Sequence, residues 1–302
     1  MLSPVMLRRL LEGLQRLLDF SALEEICLEA NPATFDLKKA RLFHSLGVTR
    51  VSLGIQSFSA QVLKTLGREH SPEEAIRSVE ILQEAKMRSI NVDLMFSIPG
   101  QSMEDWTQTL ATTIALEPHH VSAYNLTYEE DTAFFQSLLK GEVTEDPQRN
   151  NEMFFHAHQL LCEGGFEHYE TSNYANLGHR SIHNQGYWRS ENYLGLGPSA
   201  VSTIGNVRSK NIADTAKYVE MIRSIGQSRI EAEELSTEAL RLEKIAMGLR
   251  TIEGISRDLL DRAGEQRSRI LAEHGLLIFE DQAIVLTTKG SALVDAIVGE
   301  IA

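Results

Sequence analysis

Residues 50–58 read RVSLGIQSF, and residues 91–102 read NVDLMFSIPGQS. Each is a short, mostly apolar run that ends in a turn and is followed by a helical pattern. The first leads into SAQVLKTLG and SPEEAIRSVEILQEAK, the second into SMEDWTQTLATTIAL. A serine stands at the N-cap position of each helix, and the second helix adds proline at its first position and acids in its first turn. Strand then helix, repeated at this length, predicts parallel strands with crossover helices. The strands alternate incompletely, as expected when helices cover one face and a site the other.

Outward from these stretches the pattern holds. EEICLEANP is a strand stopped by Asn31-Pro32, DLKKARLFHSLG a helix opened by Asp36 and closed by Gly47, and HHVSAYNLTYE a fourth strand. The run nevertheless begins with a helix, PVMLRRLLEGLQRLL, for which Ser3-Pro4 supplies the N-cap and first turn. A β/α repeat should open on a strand, so the expectation is that strands preceding this helix are absent from the chain. The edge at EEICLEAN is then expected to be unpaired and to promote self-association.

Beyond residue 129 the pattern changes. DTAFFQSLLKGE and PQRNNEMFFHAHQLLCEGG are helical, FEHYETSNYA reads as a strand continuing into an aromatic segment, and VSTIGNVRSKN as another strand. From about residue 235 three helices, a hairpin in GLLIFEDQAIVLTTKG and a final helix predict a winged-helix-like module. The domains expected are 1–130, 131–234 and 235–302.

Composition narrows the class. The 302 residues suffice for one large α/β domain with an appendage, and apolar and charged fractions of 42% and 24% are globular. With 42 acids against 29 bases, the formal charge of −13 disfavours nucleic acid and anionic membranes as partners. The charge-balanced RDLLDRAGEQRSRILAEHG argues against DNA binding by the C-terminal module. No apolar run approaches the ~18 residues of a membrane span. Cys27 and Cys162, each in apolar surroundings and far apart, are expected to be buried thiols in a reducing, cytoplasmic compartment. No metal-type spacing of Cys and His occurs, nor a Walker loop, a GxGxxG following a strand, HExxH or a nucleophile elbow.

In parallel α/β proteins the carboxyl ends of strands carry the site. Gln56 ends one strand, Glu29 the preceding one, and Asp93 lies on the next; together they are a floor for a small molecule. Arg68, in LGREHS, has the guanidinium that clamps a carboxylate. IPGQS, residues 98–102, brings a turn and a helix start to the same rim. The segment SIHNQGYW, residues 181–188, places His183 near Tyr187 and Trp188, a neutral imidazole beside aromatic faces able to cover a flat macrocycle.

In this order, EANP, RVSLGIQSF, LGREHS, NVDLMFSIPGQS and HNQGYW resemble the oxygen-independent coproporphyrinogen III oxidase-like branch of the radical SAM enzymes. YETSNYA followed by HNQGYW is closer to its haem chaperone (HemW-type) group. The resemblance covers essentially the whole chain. It implies a radical SAM (β/α)-barrel, here partial and lacking its first two strands, then an α+β segment and the winged-helix-like module. It also implies S-adenosyl-L-methionine (SAM), haem and a [4Fe–4S] cluster as ligands. The family's Cys-x-x-x-Cys-x-x-Cys motif and its glycine-rich SAM-binding segment would precede Leu2, so the cluster ligands are expected to be missing. By position, Glu29, Gln56, Arg68, Asp93 and Thr127 resemble SAM contacts, Asp93 through the ribose and Arg68 through the carboxylate. His183 resembles a haem-iron ligand, with Tyr187 and Trp188 as pocket walls. The activity implied is haem transfer to acceptor proteins. The alternatives are radical decarboxylation of a porphyrinogen and a degenerate, cluster-free binding protein.

Overall fold

A computed structural model describes residues 2–130 and 132–302. The chain divides into two compact units, Met1–Ile182 and His183–Ala302.

The first unit runs α1 (Pro4–Leu17), β1 (Cys27–Ala30), α2 (Leu37–Ser45), β2 (Arg50–Gln56), α3 (Ala60–Thr65), α4 (Pro72–Glu84), β3 (Ser89–Phe96), α5 (Met103–Ala115), β4 (His120–Asn125), α6 (Ala133–Leu139), α7 (Pro147–Glu163), β5 (Glu167–Glu170) and β6 (Asn173–Ala175). Its sheet has the order β1-β2-β3-β4-β6-β5; β1 to β4 are parallel, and β6 and β5 close the far side antiparallel. Local signals explain the starts of the helices. Ser3 caps α1 by accepting from the Met6 amide, Asp36 caps α2, and Ser71 and Ser102 form reciprocal capping boxes with Glu74 and Asp105. Ser59 precedes α3 but makes no side-chain cap, a departure from the expected serine cap.

Alternation along the central strands separates core from site. Val51, Leu53 and Ile55 on β2 and Ile90, Val92 and Leu94 on β3 are fully buried and face the helices. Between them stand Ser52, Gly54, Gln56, Asn91 and Asp93, which point to the opposite face. Trp106 of α5 locks α7 onto this core, its indole N–H donating to the Met153 carbonyl at 3.0 Å.

FEHYETSNYA is a hairpin, β5 and β6, rather than one strand, because residues 171–172 turn the chain back on itself. It does not continue into the aromatic segment, which is a helix, α8 (Ile182–Trp188). VSTIGNVRSKN is likewise two strands, β7 (Val201–Ile204) and β8 (Val207–Asn211), reversed at Gly205-Asn206. After α9 (Thr215–Ile225), β9 (Arg229–Glu234) completes an antiparallel sheet of order β7-β8-β9. The sequence reading missed β9, whose six residues are all exposed and carry no alternation signal. The C-terminal part holds α10 (Thr237–Gly248), β10 (Ile255–Ser256), a 3-10 turn (Arg257–Leu259), α11 (Arg262–Glu273), β11 (Leu277–Phe279), β12 (Ala283–Leu286), α12 (Thr288–Ser291) and α13 (Val294–Ile301). Two α-helices and a 3-10 turn thus precede the hairpin, in place of three helices. This winged-helix-like arrangement has its own core, including Ile245, Leu249, Ile255, Leu277, Ile284 and Ile297. Among the described residues no helix is long and apolar enough to cross a membrane.

Both cysteines are exposed, contrary to expectation. Cys27 lies on β1, which among the described residues pairs only with β2, and Cys162 sits in the last turn of α7. Neighbouring atoms still crowd the Cys27 sulfur: desolvation, helped by Glu25, pushes its thiol up to about 11.

Candidate functional site

The polar face of the first sheet carries an ordered chain of hydrogen bonds. The Ser181 amide donates to the Tyr169 hydroxyl at 3.1 Å, and that hydroxyl lies 2.8 Å from His120 Nε2. His120 Nδ1 is 2.6 Å from Asn91 Oδ1. Because Asn91 Oδ1 can only accept, His120 carries its proton on Nδ1 and accepts at Nε2. The Asn91 amide donates to Asp93 Oδ1 at 2.7 Å, and Ser52 donates to Asp93 Oδ2 at 2.6 Å. The chain of bonds ends on the Asp93 carboxylate, and the Asn91 amide also donates to Ser52 and Ser122. Burial holds His120 well below the ordinary imidazole value, which keeps it neutral. Burial also raises the Asp93 carboxyl, against hydrogen bonds from Ser52, Ser122 and Asn91 that lower it.

Glu29 stands on the same face at the exposed edge, paired in register with Ser52. Gln56 closes β2 with φ 69° and is buried. Gly54 makes room for its side chain: a Cβ there would meet Gln56 Nε2 at 3.1 Å and Asn31 Oδ1 at 3.2 Å. Asn31 in turn receives a long bond, 3.4 Å, from Arg68 Nη1. Gln56, Asn31 and Arg68 therefore gather at the carboxyl ends of β1 and β2. Arg68 and Asn31 line a cavity of about 470 Å³ that also takes in Thr34, His70 and Glu74. Thr127 is exposed beyond β4, in a separate cavity of about 480 Å³ with Ser97, Asn125, Tyr128 and Arg149. Among the described residues the buried Ser97 hydroxyl has no hydrogen-bond partner. The expected residues thus fall into three neighbourhoods: Glu29 and Asp93 on the polar face, Gln56 and Arg68 about Asn31, and Thr127 apart.

In the second unit, α8 presents His183 and Tyr187 one turn apart. Their rings meet edge to face, 4.8 Å between centroids at 88°. Both residues are exposed, and the helix buries none of its seven. Trp188 lies five positions after His183, well round the helix from it. It is half-buried, and its indole nitrogen is shielded without a partner. In LGLGPSA, a Cβ on Gly195 would come within 2.2 Å of the Val201 carbonyl. Chain packing therefore explains that glycine, without any ligand.

The sequence reading missed Asn31 as a site residue, and with it Ser52, Asn91, His120 and Tyr169. The signal was present as polar residues at even spacing on otherwise buried strands, at 52 and 56, 91 and 93, and 120 and 122.

The radical SAM superfamily pattern matches residues 3–112. The heme chaperone HemW of Bacillus subtilis is 32% identical over 99% of this chain and 81% of its own length. This chain belongs to the HemW-type group of the radical SAM family. HemW of Lactococcus lactis is 32% identical over 97% of this chain and 79% of its own, and HemW of Escherichia coli 40% over 63% and 49%. In fold, the chain matches the radical SAM coproporphyrinogen III oxidase HemN of Escherichia coli with a TM-score of 0.83, at 21% identity, over 99% of this chain and 74% of that one.

The family implies SAM and a [4Fe–4S] cluster. The donor types suit SAM, a guanidinium for a carboxylate and a buried carboxylate for ribose hydroxyls, and they stand in separate neighbourhoods, Arg68 beside Asn31 and Asp93 on the polar strand face. The cluster does not fit the described residues. No three His, Cys, Asp or Glu side chains among them group to hold a metal, and the two thiols, both exposed and both raised by desolvation, lie on different elements.

Proposed function

We propose that this HemW-type chain works as a haem chaperone, binding SAM at the strand ends of the first unit and haem at α8, and passing haem to acceptor proteins. The observation that carries the reading is the 32% identity to a heme chaperone over 99% of the chain, which spans both the strand ends and HNQGYW. Glu29, Gln56 and Asp93 would hold the nucleoside end of SAM, Arg68 its carboxylate and Thr127 the rim. When bound, SAM supplies a sulfonium for reductive cleavage in this family; no step of that kind is assigned to the residues here. His183 would ligate haem iron, with Tyr187 against the macrocycle and Trp188 behind. The one-sided pairing of β1 supports self-association.

Haemin titration tests the reading. The wild type should develop a Soret band typical of imidazole-ligated haem, and His183→Ala should lose it while keeping its far-UV circular dichroism. An identical spectrum and affinity in both proteins would remove His183 from the haem site.

A further inference from the structure

We infer that Tyr193 is a positioning residue for His183, acting through Tyr187 to fix the direction of the imidazole. The inference rests on the reading of His183 as the haem ligand. None of the seven side chains of α8 is buried, and so short a helix gains little from its own hydrogen bonds. The structure supplies an anchor from outside the helix. After Trp188 the chain turns sharply: Ser190 adopts φ 55°, its amide bonds the Tyr187 carbonyl at 2.9 Å, and the Glu191 amide bonds the Gly186 carbonyl at 2.9 Å. This reversal brings the Tyr193 ring edge-on to Tyr187, 4.8 Å between centroids at 68°. Tyr187 meets His183 in the same manner from its position one turn along the helix. Three rings therefore form a ladder of edge-to-face contacts, each in the arrangement that ring quadrupoles favour.

The far rung is anchored. Tyr193 and Thr203 of β7 exchange two backbone hydrogen bonds, both 3.0 Å. Thr203 is buried, and its hydroxyl accepts from Arg208 Nε at 3.3 Å. Arg208 grips Glu243 of α10 with both terminal nitrogens, at 2.6 and 2.8 Å. The ladder thus runs from a pinned sheet residue to an exposed imidazole. Axial ligation needs the imidazole lone pair to point along one direction, and a ring free to change rotamer gives up part of the binding free energy. Loss of the Tyr193 rung should therefore weaken haem binding without touching haem.

The test is titration of the full chain with haemin, read by affinity and Soret position. Wild type is compared with Tyr193→Leu, Tyr193→Phe and His183→Ala, with far-UV circular dichroism and melting of each free protein. Tyr193→Leu should weaken binding by about three- to tenfold, the range expected for one aromatic pair, and shift the band towards that of His183→Ala. Tyr193→Phe, which keeps the ring edge, should restore both. Wild-type affinity and band position in Tyr193→Leu would overturn the inference, as would a phenylalanine variant no better than leucine. If Tyr193→Leu does not fold, Tyr193→Met carries the same expectation and the same refutation. A His183→Ala protein with the wild-type spectrum would instead overturn the haem-ligand reading beneath it.

Discussion

The polar sheet face of the first unit and the α8 segment of the second are built in opposite ways. Asp93, Asn91, Ser52 and His120 come from three adjacent strands, and each is held by hydrogen bonds to partners far away in sequence. His183 and Tyr187 come from one turn of an exposed helix and are held by ring contacts. The first arrangement couples ligand recognition to the stability of the whole core. The second leaves the exposed rings nearly independent of core stability.

The largest expected effect probes that difference through ion pairs. Arg50 is buried, bonded to Glu25 at 2.8 Å and to the carbonyls of residues 179 and 180. Arg50→Met removes the cation from a buried ion pair and two bonds to carbonyls and should cost about 3–5 kcal/mol. In the second unit, the Arg189–Glu253 pair has side chains 47% and 45% exposed, and Arg189→Met should cost under about 1 kcal/mol. Urea unfolding of both variants measures the gap; equal losses would erase the contrast.

A pH dependence sharpens it. Burial lowers His70, His119, His120, His158, His168 and His179, all in the first unit, and takes His168 to about 4. The unfolded imidazole titrates near 6.5. Above that pH neither state is protonated and nothing is lost. Below it the unfolded chain takes up protons that the folded chain refuses, so stability falls as pH drops from 6.5 towards 4. His168 alone should remove about 2 kcal/mol by pH 5. Asp93, raised in the folded state, acts in the opposite direction as a single carboxyl. The two tryptophans report the units separately: Trp106 lies in the first and Trp188 in the second. In Trp188→Phe, the Trp106 fluorescence midpoint in urea should fall between pH 7 and pH 5; a constant midpoint would refute the burial argument.

Single polar substitutions come next. Asp93→Ala leaves the Ser52 hydroxyl and one Asn91 donor without their acceptor, at a cost of about 1–3 kcal/mol, and should weaken SAM binding in calorimetry. His183→Ala, on an exposed helix, should stay within about 0.5 kcal/mol of wild type while changing the haem spectrum. A large stability loss in His183→Ala would show that α8 is built into a core after all. The smallest effect is that of Arg68→Ala, whose hydrogen bond to Asn31 is long. Its unfolding free energy should move by less than about 0.5 kcal/mol, while SAM affinity falls several-fold through loss of a charge-assisted contact. Unchanged SAM affinity would place the carboxylate elsewhere.

How far the sequence could be read followed the range of the interactions. Ser71, Ser102 and Asp36 announced helix starts because a cap is completed within three residues. The β/α alternation, and Gln56 at a strand end, were legible for the same reason. The aromatic segment was misread as extended because its seven residues are too few to display a helical period, and Gly186 within it argues against helix. The cysteines were misread because apolar neighbours in sequence do not reveal that β1 is an edge.

By itself, then, the sequence determined the strand and helix order from α1 to β4, the split between an apolar and a polar strand face, and the identity of the residues available for chemistry. These are properties of periodicity and composition over a few residues. The tertiary structure alone decided which of those residues meet. Sheet register set Ser52, Asn91, Asp93 and His120 side by side across gaps of up to 68 residues, and a two-bond bridge to Thr203 brought Tyr193 to Tyr187. Register is fixed by burial of a whole strand face at once. No local window of sequence contains that sum.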